Sequence, residues 1–225
     1  MGERVTFKAN GHNTPGYLAR PKSGSGPGVI VIQEWWGLVP HIEDVTERFA
    51  SAGFVALAPD LYHGEKATGP DQAGKLMMAM NIEQTEKDLR GAIQFLKQQP
   101  AVTGDKIGTV GFCMGGALSL FAASKNADVG ACVVFYGGHP KAQADLPNLQ
   151  APVLGLWAGK DGFVTPDAVS QLDEQLTQLG KDHQFHTYPD SDHAFFNDTR
   201  KEVYDPKASA DAWEKTIRFL KRELT

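Results

Sequence analysis

Cysteine is nearly absent: Cys113 and Cys132 are the only two in 225 residues. Two thiols cannot build a disulfide framework, which sets aside the small secreted scaffolds and points to a reducing, cytoplasmic setting. Cations are in the minority, with 22 lysines and arginines against 27 acidic residues and a formal net charge of -5. No basic run reverses that balance locally, so the chain offers no electrostatic footprint for nucleic acid or for an anionic membrane surface. Long apolar runs are missing as well. Nothing approaches the roughly 20 residues that cross a bilayer, and the opening MGERVTFKAN has no apolar stretch that could act as a signal peptide. Gly2 and Thr6 satisfy a loose myristoylation pattern, but VTFKAN reads as an opening strand and not as a flexible anchor. Repeats and low-complexity tracts are also lacking, and the Gly/Pro/Ser cluster from Pro21 to Gly28 is only loop-sized. The chain reads as one domain spanning 1–225, a monomer or small homo-oligomer.

What is present is alternation. Short apolar runs, β-branched and bounded by Gly or Pro, occur at 28–33, 54–59, 106–112, 131–137 and 152–159, the pattern of buried parallel strands. Helical periodicity lies between them, over Ile42 to Ala50, Ile82 to Leu96, Ala117 to Ala123 and Val169 to Leu179. A closing helix starts at Asp205 as N-cap with Pro206 in its first turn, and carries Trp213, Ile217 and Leu220 on one stripe. Repeated βα units predict a mostly parallel sheet with helices on both faces, whose reactive groups sit beyond the carboxyl ends of the strands.

One such strand, KIGTVGF, runs into Cys113, and Met114-Gly115-Gly116 then opens a helix. This is the arrangement of a nucleophile elbow with cysteine in the serine position. A tight strand-to-helix turn needs glycines where backbone and helix pass closely, and a helix N-terminus favours a thiolate. A free cysteine is more often a small buried hydrophobe, and Cys132, inside an apolar strand, fits that bland description.

In this fold the acid and then the histidine follow the nucleophile along the chain. Asp161, in the loop after PVLGLWAG, and His193, in the loop after HQFHTYP, have that order and leave the same sheet edge as the elbow. Asp190 and Asp192 are rival acids, but so close to the histidine in chain they suit a turn better. His183 and His186, three apart on a strand, point to opposite faces, so no metal site is expected. After GVIVIQ comes Glu34-Trp35-Trp36-Gly37, the place from which this fold supplies an oxyanion-hole amide; Trp35 and Met114 are the candidate backbone donors. Glu34 at the end of a buried strand needs a partner, and is expected to face the site unless backbone amides satisfy it.

These residues resemble the dienelactone hydrolase (carboxymethylenebutenolidase) family across nearly the whole chain. The likeness rests on Gln33-Glu34 with Gly37, Ala58-Pro59-Asp60-Leu61-Tyr62, Gly111-Phe112-Cys113-Met114-Gly115-Gly116, Gly159-Lys160-Asp161 and His193-Ala194-Phe195, in family order. It implies an α/β-hydrolase fold, a Cys113/His193/Asp161 triad, Glu34 taking part in thiol activation, and hydrolysis of an ester or lactone without a cofactor. Family members acting on dienelactone hold its carboxylate with two arginines. Here Asn197 stands in place of one, and the segment from Gly69 to Met80 contains no arginine, only Lys75, a point charge that cannot form a fork. With Trp36, Met77, Met78, Phe195, Phe196 and Asn197 as candidate pocket residues, a neutral ester or lactone is the expected substrate. Each apolar member of that set could equally be core. The alternatives are a phosphotriester hydrolase using the same triad, and a non-enzyme in which Cys113 is a redox sensor or the fold only binds a ligand.

Overall fold

The computed structural model describes residues 2–9 and 11–225. In chain order its elements are β1 Glu3–Ala9, β2 His12–Ala19, β3 Gly26–Ile32, α1 Pro40–Ser51, β4 Val55–Pro59, α2 Pro70–Ala79, α3 Ile82–Lys97, β5 Val102–Phe112, α4 Met114–Lys125, β6 Val129–Phe135, β7 Val153–Ala158, α5 Pro166–Gln178, β8 His183–Tyr188 and α6 Pro206–Leu224. The strands make one sheet in the order β1-β2-β4-β3-β5-β6-β7-β8. β1 and β2 pair antiparallel, and β2 meets β4 antiparallel. From β4 to β8 every pairing is parallel. This is an α/β fold with a mostly parallel sheet.

The strands are buried on both faces because successive side chains alternate between two cores. Ile30 and Ile32 of β3 and Val55 and Leu57 of β4 pack with Leu89, Ile93 and Leu96 of α3. Val29, Val31, Ala56 and Ala58, one position out of phase, pack with Ile42, Val45 and Phe49 of α1 and with Ala212, Phe219 and Leu220 of α6. The stripe on α6 is set by its cap, since the Asp205 side chain accepts from the amides of Lys207 and Ala208. Asn10, at the end of the expected opening strand, lies outside the described residues. Helix α2, absent from the periodicity reading, buries only Ala73 along its length; a helix that packs so little leaves little pattern. No helix among the described residues is long and apolar enough to cross a membrane.

Parallel pairing puts the carboxyl ends of β3, β5, β6, β7 and β8 along one edge. β5 lies directly beside β3, so Cys113 emerges next to Glu34 and Trp35, while Asp161 and His193 leave from the two strands beyond β6.

Candidate active site

Cys113 caps α4 with φ 55° and ψ -121°, a left-handed backbone that a non-glycine residue holds only when its surroundings impose it. The imposition is visible at the flanking glycines. A Cβ on Gly111 would fall 1.8 Å from the Gly115 carbonyl oxygen, and one on Gly115 would fall 2.4 Å from the carbonyl oxygens of Ile32 and Gln33. The turn is anchored where the Cys113 amide donates to the Phe135 carbonyl at 3.0 Å and the Gly116 amide returns to the Cys113 carbonyl at 2.9 Å. Tyr136, directly after β6, and Ala194, in the loop after β8, also have positive φ. Among the described residues the fourth non-glycine with positive φ, His63, pairs with Asp88 instead.

Asp161 is buried and its two oxygens are divided. Oδ1 accepts from the Phe163 and Val164 amides at 2.8 and 2.9 Å, which ties the carboxylate to its own loop. Oδ2 is left for His193 Nδ1, 2.6 Å away. Two backbone bonds stitch the loops together, Gly159 to the Tyr188 carbonyl and Lys160 to the Ser191 carbonyl. Asp190 points away, 90% exposed beside Lys160. The imidazole lies between two rings, Tyr136 at 5.1 Å and Phe163 at 5.3 Å. Burial alone would lower the His193 pKa, but hydrogen bonding to Asp161 and Cys113 and the negative charges of both outweigh it and push it up to about 10. The neighbourhood favours imidazolium.

Glu34 is 1% exposed. Its Oε2 accepts from Asn197 Nδ2 at 2.7 Å, and Asn197 Oδ1 is itself held by the Thr199 hydroxyl at 2.6 Å and amide at 3.1 Å. Burial raises the Glu34 pKa, opposed by the Asn197 bond and the positive charges of His193 and Arg200. Trp35 and Met114 are brought together by Tyr62, whose hydroxyl donates to the Trp35 carbonyl at 3.2 Å and lies 3.3 Å from Met114 Sδ.

A cavity of about 490 Å³ opens on these groups, lined by Glu34, Trp35, Cys113 and His193 together with Trp36, Met77, Phe163 and Arg200. A larger groove of about 580 Å³ between α1 and α6 holds no cysteine or histidine. Four expected pocket residues are placed elsewhere. Phe195 and Phe196 are buried in the core with Phe112, Phe135 and Trp213, because the turn at Ala194 sends the chain under the sheet edge. Asn197 is spent on Glu34. Met78 is 48% exposed and absent from the cavity wall, one helical position away from Met77, which does line it. Neither expected clamp position carries an arginine, but Arg200, which the sequence reading does not place, reaches the wall from the turn after Asn197, with its Nε donating to Glu202 at 2.9 Å. Lys75 is exposed and does not line the cavity. Tyr62, Tyr136, Phe163 and Arg200 were not identified as site residues from the sequence. Tyr62 stands in a motif already quoted, and Tyr136 directly follows a strand; for Arg200 no spacing signal exists.

A mostly parallel sheet with a strained strand–Cys–helix turn, and with an acid and a histidine in the loops after β7 and β8, defines the class as an α/β-hydrolase. The comparisons narrow it. The dienelactone hydrolase family matches residues 14–224, and the chain belongs to that family. Protein usf of Aquifex pyrophilus is 41% identical over the full length of both chains. An Aquifex aeolicus protein provisionally named carboxymethylenebutenolidase is 37% identical, again over both full lengths. Among solved structures, a provisionally named dienelactone hydrolase from Klebsiella pneumoniae shares 28% identity, covers 99% of this chain and 98% of its own, and superposes with a TM-score of 0.90. A dienelactone hydrolase-like promiscuous phosphotriesterase from metagenomic libraries has the same TM-score, 0.90, at 24% identity, covering 100% of this chain and 99% of its own. The chain is a hydrolase.

Proposed function

We propose that the protein hydrolyses esters or lactones through an acyl-cysteine intermediate, with residues 1–225 acting as one catalytic domain. The Cys113 sulfur attacks the carbonyl carbon, and the C=O electron pair moves onto oxygen, where the Trp35 and Met114 amides receive it. Collapse breaks the bond to the leaving oxygen, which takes a proton from His193 Nε2. Water then adds to the thioester as His193 takes its proton, the C–S bond breaks with its electron pair returning to the Cys113 sulfur, and the acid departs. Asp161 keeps Nδ1 protonated throughout. Glu34 exchanges a proton with the thiol, a role supported by its burial on the cavity wall and its raised pKa. The observation that carries the reading is the Asp161–His193 pair, 2.6 Å long, held against a cysteine at the head of α4.

The apolar walls favour a neutral ester or lactone, as in the sequence-based expectation. Arg200 removes one argument for that preference, because it gives an anionic substrate a cation to meet. Mass spectrometry of the enzyme quenched during turnover of an aryl ester tests the proposal. An acyl mass on the peptide containing Cys113 is expected. Full turnover with the label on another residue, or with none, defeats it.

Phosphotriester hydrolysis is the second reading. A neutral phosphotriester presents P=O to the same amides and its leaving group to the same histidine, and the metagenomic neighbour carries that activity in its name. Parallel ester and phosphotriester panels separate the two. Stoichiometric oxidation of Cys113 without turnover on either would favour the redox-sensor alternative.

A further inference from the structure

The active-site cavity has a neighbour. A second cavity, also about 490 Å³, lies under the loop that follows β6, between α4, α5 and β7. Gly138 and His139 line both cavities. Beyond them the wall is mixed, with apolar side chains from Leu120, Val134, Leu146 and Leu172 beside polar surface that includes Gln143 and Gln175.

His139 is held firmly where the two spaces meet. Its Nδ1 accepts from the Lys141 and Ala142 amides, both at 3.0 Å, which fixes the tautomer with the proton on Nε2. The Nε2 edge of the ring is turned toward the Met77 backbone of α2 without a hydrogen-bond partner, and burial pushes the imidazole pKa down, keeping it neutral. An uncharged ring, fixed at its Nδ1 edge by the loop after β6, therefore stands in the wall shared by the two cavities.

We propose that His139 is a specificity-determining partition, which ends the substrate's apolar chain at the active-site wall and makes short-chain esters the wild-type substrates. The second cavity is the space a longer unbranched chain takes once the partition is cut back. This inference rests on the reading of Cys113 as nucleophile, and it concerns only the length of the chain attached to the reacting carbonyl or its leaving oxygen.

The informative variant is His139→Asn. Asparagine carries its Oδ1 where histidine carries Nδ1, so the Lys141 and Ala142 amides keep their acceptor while the outer half of the ring is deleted. His139→Phe does the reverse, keeping a ring but losing the acceptor. Each buried methylene is worth about fourfold in binding, so two methylenes admitted past the partition give about fifteenfold. Two ester series are compared, p-nitrophenyl acetate against octanoate for the acyl side, and methyl against octyl benzoate for the alkoxy side. In His139→Asn the long-to-short ratio of kcat/KM is expected to rise about tenfold or more in one series, which identifies the side. His139→Phe should keep the wild-type ratio, and Leu172→Trp added to His139→Asn should abolish the gain by filling the second cavity. Calorimetric binding of octanamide to Cys113→Ala supplies a readout independent of turnover: adding His139→Asn should tighten it about fifteenfold. Unchanged ratios in both series, or, where the enzyme turns over none of these esters, unchanged octanamide binding in a folded His139→Asn protein, overturn the partition. Loss of ester turnover with tightened octanamide binding strikes the proposed function and leaves the partition standing.

Discussion

The molecule contains the same side chain in two settings. Cys132 sits midway along β6, fully buried, with the Ser119 hydroxyl 3.4 Å from its sulfur as a polar neighbour. Burial pushes its thiol up to about 11. Cys113 sits one strand away, at the end of β5, half-buried, at positive φ and facing His193. Both strands are apolar and parallel, so the difference is not one of local composition. It comes from position along the strand: a thiol in the middle meets only packed neighbours, whereas one just past the end meets a helix N-terminus and whatever the adjacent strand ends deliver. Under the proposed mechanism, reactivity is a property of the sheet edge more than of the residue.

The sharpest break of this comparison is to remove each sulfur in turn. Cys113→Ala should lower kcat/KM on an aryl ester by about 10⁴ or more, the scale seen when a nucleophile is lost. The measurement is initial rates with matched circular dichroism; a variant within tenfold of wild type would place the nucleophile elsewhere.

Next in size is Asp161→Asn, which leaves the elbow intact but takes away what holds His193. An amide at that position donates to Nδ1 and selects the wrong tautomer, so turnover should fall by about 10² to 10⁴. Without the carboxylate the His193 pKa falls from about 10, less imidazolium faces the sulfur at neutral pH, and iodoacetamide should alkylate Cys113 more slowly there. Alkylation that stays at the wild-type rate would show that Asp161 does not act through His193.

A third test concerns charge on the cavity wall, which Cys132 lacks altogether. Arg200→Gln should lower kcat/KM for a carboxylate-bearing ester by about tenfold relative to its neutral analogue, the value of a single charge-assisted hydrogen bond. The comparison is made at two ionic strengths, since a contact in the cavity persists where a long-range field fades. Equal losses for both substrates would assign Arg200 to the support of Glu34 instead.

The buried carboxylate makes a stability prediction whose sign can be worked out. The Glu34 pKa is raised on folding, so between the unfolded value and the folded one the native state holds more protons than the unfolded chain. Its stabilising contribution is present at low pH and lost as pH rises through that window. Glu34→Gln keeps an acceptor for Asn197, and its Tm advantage over wild type, measured by thermal unfolding, should grow as pH rises from about 4.5. An advantage that shrinks over that range would mean Glu34 is stabilised as the anion. The smallest effect closes the comparison: Cys132→Ala should cost about 1 kcal/mol for a small cavity and leave turnover within about twofold.

Much of this was legible in the chain. The βα alternation, the elbow with its glycines, and the order of acid and histidine follow from local rules: strand periodicity, the space a tight turn requires, and the connection of parallel strands through helices. Those rules act over a few residues, so Cys113, Asp161 and His193 could be named without coordinates. What the chain did not reveal depends on where it goes after leaving the sheet. Phe195, Phe196 and Asn197 follow His193 directly, yet the left-handed turn at Ala194 sends two of them into the core and the third behind Glu34. Arg200 reaches the cavity from a turn further on, and His139 stands between two cavities whose walls come from α2, α4, α5 and the loop after β6. No periodicity encodes such meetings, because they are set by the packing of segments distant in sequence. Local chemistry was written in order along the chain, and the shape and charge of the space around it arose only when the sheet brought those segments to one edge.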